Sequence, residues 1–390
     1  MSKIRVAHII TRLCRGGAQE NTFHTVRLAN LERYEVDLIS GPTRGPEGSM
    51  EPMVLAAGIP ILREPFLTRN PAPLRDYLAL KRLTKRLREG RYDLVHTHTS
   101  KAGFLGRLAA ERAGIPAIVH TPHGNVFQGY FNPYLTRLFV WMERHGARRT
   151  DRIIELTQGG ITEHLAEDIG RREQYRVIFS GIDIAPYADA IARRQETRHA
   201  LGVGDDELLV GGVGRLEPVK GFAYFVEAAQ RIAERTPGPR FIIVGQGSLD
   251  AELRRAAAPL GTRFVFTGPR DDVPALMAAM DVLVVPSINE GMGRVLLEAG
   301  AAATPVVATR TGGIPDIVDD GETGLLVPPR YAEALTEAVV ELMAAPERRH
   351  WMGATARAKI VPQYSLENMV RQIEAVYEEI LHEKARDTRR

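Results

Sequence analysis

Two glutamates, Glu290 and Glu298, stand with seven residues between them in Pro286-Ser287-Ile288-Asn289-Glu290-Gly291-Met292-Gly293-Arg294-Val295-Leu296-Leu297-Glu298. The apolar run Asp281 to Pro286 before them reads as a buried strand. The loop therefore opens at the carboxyl edge of a parallel sheet, where doubly wound proteins bind ligands. Gly291 and Gly293 allow close backbone approach. A helix starting near Gly293 turns its unpaired N–H groups and positive dipole end toward the same crevice, which suits a diphosphate. A helical rise of about 1.5 Å per residue separates the two acids by roughly 12 Å, so they serve two parts of one extended ligand better than a single acid/base pair.

The two acids in this setting resemble the motif of retaining glycosyltransferases of the GT-B fold, the large family four. The resemblance implies that Glu290 lies near the donor sugar, that Glu298 meets the ribose hydroxyls, and that Gly291, Met292 and Gly293 line the donor diphosphate. Gly211-Gly212-Val213-Gly214-Arg215-Leu216-Glu217-Pro218-Val219-Lys220-Gly221 is similar to the family's Gly-Arg-Leu…Lys-Gly segment. An Arg fork and a Lys point charge from one loop, Arg215 and Lys220, can neutralise two phosphates and hold a leaving diphosphate, beside Gly214. Thr11 to Glu20 is similar to the family's Gly-Gly loop. Gly16 and Gly17 would approach the donor phosphates, and Arg12 or Arg15 could meet an anionic acceptor. His123, in His120-Thr121-Pro122-His123-Gly124, matches the position whose imidazole reaches the donor sugar.

Further segments extend the resemblance over nearly the whole chain. Gly245-Gln246-Gly247 and the stretch Thr267 to Pro274, with Arg270, are similar to loops that frame the nucleotide. Thr97 to Gly103, with Lys101, and Val126 to Phe131 are expected to shape the acceptor site. Ser180-Gly181-Ile182-Asp183 departs from the family's Asn-Gly-Val-Asp by its Ser, which puts any contact of that side chain in doubt. Thr311-Gly312-Gly313-Ile314-Pro315 and Gly321 to Gly324 read as structural turns without chemistry.

The elements that must position these residues alternate between apolar runs and helical patterns, the mark of parallel α/β construction. Strands are expected near residues 4–10, 35–40, 94–97, 117–121, 152–156 and 176–179, then near 208–213, 240–244, 263–267, 282–285, 305–308 and 325–327. These make two Rossmann-like, doubly wound domains facing across a cleft: an acceptor-binding domain over 1–185, a nucleotide-sugar domain over 186–364, and a terminal helix over 365–390 that crosses back. Pro186 and neighbouring polar residues mark a linker around 184–197.

At 390 residues, with 44% hydrophobic and 25% charged content, the chain suits a two-domain globular enzyme. No signal peptide or membrane span is read, so a cytoplasmic protein is expected. The single cysteine, Cys14, leaves no internal disulfide framework and fits a reducing compartment. No Gly-x-Gly-x-x-Gly opens a helix, which argues against a nicotinamide site. His96, His98, His120 and His123 include a His-x-His pair, but no Cys or carboxylate cluster accompanies them and no Asp-x-Asp is present. Neither a metal nor any other cofactor is expected.

A net charge of +3 with 6% aromatic residues and no recognition motif argues against nucleic-acid binding. The cations Arg75, Lys81, Arg82, Lys85, Arg86, Arg88 and Arg91 crowd one segment, and Arg137, Arg144, Arg148 and Arg149 another. The first group, interleaved with Leu74, Leu78, Leu80, Leu83 and Leu87, could dock weakly on an anionic membrane near a lipid-linked or other carbohydrate acceptor. The alternative is that these leucines face the core.

The expected chemistry is sugar transfer from a nucleoside diphosphate to an acceptor hydroxyl with retention, serving polysaccharide, glycolipid or other glycoconjugate synthesis. The donor base is open among uracil, guanine and adenine. Alternatives are a nucleotide-sugar epimerase of similar shape, a silent nucleotide-sugar-binding module, or a non-carbohydrate α/β enzyme.

Overall fold

The computed structural model describes residues 3–45, 48–124, 133–236 and 238–387. The acceptor segment 126–131 lies outside them. The chain divides into two compact units, Met1–Gly181 with Leu366–Arg390, and Ile182–Ser365.

The first unit holds β1 (Ile4–Ile10), β2 (Tyr34–Ser40), β3 (Ile61–Arg63), β4 (Leu94–His98), β5 (Ala117–Thr121), β6 (Arg152–Glu155) and β7 (Tyr175–Val177). They form one sheet in the order β3-β2-β1-β4-β5-β6-β7, and every pairing is parallel. β3 is not among the expected strands. It is three residues long, sits at the sheet edge after Pro60, and is too short for alternation to register.

The second unit holds β8 (Leu209–Val213), β9 (Arg240–Val244), β10 (Phe264–Gly268), β11 (Val282–Val285), β12 (Val306–Thr309) and β13 (Gly324–Val327), in the order β10-β9-β8-β11-β12-β13. These pairings too are all parallel. In each sheet the order reverses at one place, between β1 and β4 and between β8 and β11. Adjacent loops there leave to opposite faces and open a crevice at the carboxyl ends of the strands, where α/β sheets take ligands. The loops singled out in the sequence follow β1, β5, β8 and β11.

The stretch expected as a linker is helical instead: Ala185–Ala192 and Arg194–Ala200 pack against the helix Val273–Ala279. Two arginines of the second of these helices are structural. Arg198, 2% exposed, donates to Asp281 Oδ2 (3.0 Å) and to the Ala279 carbonyl (2.9 Å), and Arg194 reaches Asp281 Oδ1 (2.7 Å). A run that looks like solvent-facing polarity is therefore a buried-charge anchor. The helix Leu366–Asp387 belongs to the first unit. Its Leu366, Met369, Val370, Ile373, Val376, Tyr377 and Ile380 bury against Val6, Leu94, Ala117 and Val119 of that sheet.

Candidate active site

In the second unit, β8 ends at Val213 and the chain passes through Gly214 and Arg215 into the short turn Pro218–Lys220 before the helix Phe222–Arg235. Gly221 joins turn and helix at φ +67°, and a Cβ there would lie 2.0 Å from the Pro286 carbonyl oxygen. Only glycine lets this turn lie on the loop that follows β11. That contact brings the expected cation and the expected acid together: Lys220 Nζ lies 2.5 Å from Glu290 Oε2, which also accepts from Ser287 Oγ at 3.1 Å. Lys220 is thus a paired charge, while Arg215 is exposed and makes no side-chain hydrogen bond or ion pair among the described residues.

The loop carrying Glu290 is held from behind. Gly313 N–H donates to the Glu290 and Gly291 carbonyls, each at 3.0 Å. Thr311 Oγ1 donates to the Ile288 carbonyl at 3.0 Å, and Thr309 Oγ1 to the Ser287 carbonyl at 2.5 Å. At Gly312, with φ +52°, a Cβ would lie 1.8 Å from the Glu290 carbonyl oxygen. The turn Thr311 to Gly313 is therefore the clamp that sets Glu290. The sequence hints at this only in its paired glycines, because the partner strand, β11, is not adjacent in the chain.

Gly293 (φ +72°) precedes the helix Arg294–Ala301 as expected, Met292 is buried, and Gly291 has open space where a side chain would stand. Glu298 sits in the second turn of that helix, 3.9 Å from Arg294. Gly245, after β9, lies back to back with Gly214, whose oxygen would be 1.9 Å from a Cβ at 245. Arg270 forms a two-point pair with Asp272 (2.8 and 2.7 Å). This pair holds the Asp272 carboxyl below its ordinary value and leaves the exposed Arg270 already neutralised.

In the first unit, Gly16 is extended (φ 168°) and Gly17 opens the helix Gly17–Arg27. Arg12 donates to the Arg44 carbonyl (3.0 Å), and Arg15 packs its stem over Gly48. Both expected acceptor cations thereby lie against described residues further along the chain, Arg44 and Gly48. Cys14, beside them, is buried and bridges to Ser49. Lys101, the third acceptor candidate, is 2.5 Å from Asp76 and from the Asn70 carbonyl. These contacts tie it to the start of the helix Pro73–Gly90.

His123 follows β5 in the left-handed region (φ +63°). Its Nε2 is 3.0 Å from His98 Nδ1, and its Nδ1 is buried with no partner among the described residues. Burial alone pushes its pKa down to about 3, so the ring is neutral. His8, missed in the sequence, joins His96 and His98, with ligand-capable atoms all within 4.8 Å.

Two Rossmann-like units, with the loops after β1, β8 and β11 at their switch points, have the architecture of the GT-B glycosyltransferases. The family model described as Glycosyltransferase Family 4 matches residues 15–185, and that described as Glycosyl transferases group 1 matches residues 207–345. The UDP-Gal:alpha-D-GlcNAc-diphosphoundecaprenol alpha-1,3-galactosyltransferase of Escherichia coli is 30% identical over 96% of this chain and 97% of its own length. A D-inositol 3-phosphate glycosyltransferase of Saccharomonospora viridis is 32% identical over 69% of this chain and 66% of its own. Among solved structures, Anabaena Alr3699/HepE in complex with UDP superimposes with a TM-score of 0.80 at 25% identity, covering 97% of this chain and 100% of that one. The chain belongs to glycosyltransferase family 4. The epimerase alternative gives way to that membership.

Proposed function

We propose that this enzyme moves a hexose from a UDP-sugar to a lipid-linked diphosphate acceptor, with retention and without a metal ion. The carrying observation is the commitment of Glu290 to Lys220 and Ser287. A carboxylate whose charge is shared with an ammonium and a hydroxyl is a weakened nucleophile for double displacement, which needs one carboxylate to attack the anomeric carbon. A same-face route needs no protein nucleophile: the acceptor oxygen bonds to the anomeric carbon as the carbon–phosphate-oxygen bond breaks, and the acceptor proton passes to the departing phosphate. In this reading Arg215, Lys220 and the N–H groups at the start of Arg294–Ala301 hold the charge that develops. Uridine and the lipid-linked acceptor are supported by the galactosyltransferase, which matches this chain end to end, and uridine also by the UDP complex.

Incubating purified protein with UDP-galactose, UDP-glucose or GDP-mannose and GlcNAc-diphosphoundecaprenol, in excess chelator, tests the reading. Acceptor-dependent UDP release with an α-linked product is expected. An inverted product, dependence on an added divalent ion, or turnover with inositol phosphate alone would overturn the corresponding part, and no turnover with any pair would favour the silent module.

A peripheral membrane position follows from such an acceptor. No helix among the described residues is long and apolar enough to cross a bilayer. The face of leucines and cations on the helix Pro73–Gly90 is divided: Leu80, Leu83 and Leu87 are buried in the core, Leu78 is half-buried, and Leu74 at its start is exposed. The helix Pro133–Ala147 fits an interface better, since Tyr134, Leu138 and Trp141 are exposed at one-face spacing beside Arg137 and Arg148. Liposome cosedimentation tests it: Leu138→Ser with Trp141→Ser abolishes binding to anionic vesicles, whereas equal binding by the variant sinks this site.

A further inference from the structure

Behind His123 the first unit buries a line of hydrogen-bonded groups that sugar transfer by itself does not call for. Tyr377 Oη, on the helix Leu366–Asp387, is 2.7 Å from His96 Nδ1 and 3.3 Å from His8 Nε2. His96 Nε2 meets Thr121 Oγ1 at 2.8 Å, His8 Nδ1 meets His98 Nε2 at 2.9 Å, and His98 Nδ1 meets His123 Nε2 at 3.0 Å. The line thus runs Thr121–His96–Tyr377–His8–His98–His123. His8, His96 and His98 are at most 1% exposed. Burial pushes His8 down to about 3 and His96 and His98 well below the ordinary range, so all are neutral, each with one N–H and one lone pair.

A line of such groups can point only one way or the other. If protons point toward Thr121, the Thr121 hydroxyl proton has no acceptor among the described residues, and His123 Nδ1 is also left as an unmatched lone pair. If they point toward His123, every internal group is matched and one orphan remains among the described residues, the Nδ1–H of His123. An unmade hydrogen bond in a buried place is costly, so the second direction prevails. We infer that Thr121, His96, Tyr377, His8 and His98 form a one-way hydrogen-bond line that fixes His123 as a donor through Nδ1, ready for an acceptor oxygen of the bound sugar nucleotide.

Tyr377, His8 and His98 are then positioning residues, acting through His123. The oxygen-binding half of this inference rests on the donor-sugar role given to His123; the proton arrangement does not. A metal held by His8, His96 and His98 competes poorly, since both ring nitrogens of all three are already hydrogen-bonded.

Imidazole nitrogen NMR of the full chain, ligand-free and labelled in histidine, reads the direction. The line requires Nδ1–H at His8, His96, His98 and His123 together, the opposite of the tautomer that free imidazole side chains favour. His123→Gln assigns the terminal signal. Any of the four with its proton on Nε2, an imidazolium signal from them at pH 6, or stoichiometric uptake of Zn²⁺ would overturn the inference.

Tyr377→Phe removes the shared hydroxyl, so His8, His98 and His123 gain a substantial Nε2–H population and UDP-galactose binding weakens about fivefold. An unchanged His123 signal in that variant would also overturn it. Absence of UDP-galactose binding in the native protein, with the four Nδ1–H signals present, would instead sink the donor reading and leave the line standing.

Discussion

The two units carry their candidate ligand groups in opposite materials. In the second unit the candidate groups are charged and partly exposed, and all but Arg215 stand in pairs: Lys220 with Glu290, Arg270 with Asp272, Arg294 with Glu298. In the first unit the groups behind His123 are neutral, buried and linked in series. Paired surface charges are individually weak and adjustable, which suits a ligand whose own charge grows during reaction. A buried neutral line has little freedom, because moving one member leaves another unsatisfied. The second unit is thus suited to supply field, and the first to supply direction.

Acid should separate the halves most strongly. His8, His96, His98, His120 and His123 all have folded pKa values below the ordinary 6.5. The unfolded chain therefore takes up protons as the pH falls below about 6.5 while the folded chain does not, and stability falls. At pH 5.5 the loss is roughly 1 kcal/mol for each of these groups. Glu155, raised by burial, works the other way as a single group. The second unit has only His199 and His350, both exposed. Hydrogen exchange at pH 7 and 5.5 should show β1, β4 and β5 losing far more protection than β8 and β11; equal loss would break the contrast.

On the charged side, Glu290→Gln is expected to lower turnover about a hundredfold with little change in UDP affinity, since it removes a charge-assisted partner of Lys220 at the reacting end. Steady-state rates with calorimetry check this. Gly312→Ala forces a Cβ into the Glu290 carbonyl in a left-handed backbone and should cost roughly 1–3 kcal/mol of stability along with activity. Gly291→Ala, with nothing within 4 Å of the new Cβ, should leave the melting temperature unchanged. Similar melting of both variants would mean that the turn after β12 does not clamp Glu290. The smallest effect is expected from Glu298→Ala: UDP affinity about tenfold weaker by calorimetry, with turnover at saturation nearly retained.

Much of this was legible in the sequence because the strands carry dense local signals. β1, β5, β9 and β11 lie where their apolar runs place them, and the helix after Gly293 starts where the glycine stops the loop. What escaped was anything set by residues distant in the chain. His8 sits in an apolar strand with no polar neighbour to draw attention, and its partners are 90 and 369 residues away. Lys101 looked free because Asp76 belongs to another helix. Thr311 to Gly313 looked like an ordinary turn because its work is done on a strand reached only through the fold. The polar run at 184–197 misled for the same reason, since Asp281, its partner, lies in the strand register of β11.

The helix Leu366–Asp387 has a consequence for how the protein is made. Ile182–Ser365 is continuous in sequence and can close its core as soon as it has left the ribosome. The sheet β1 to β7 is synthesised earlier, yet Val6, Leu94, Ala117 and Val119 wait for a helix that is translated after the whole of the other unit. The nascent chain therefore carries an uncovered apolar sheet face through most of its synthesis, and the half translated first is the half completed last.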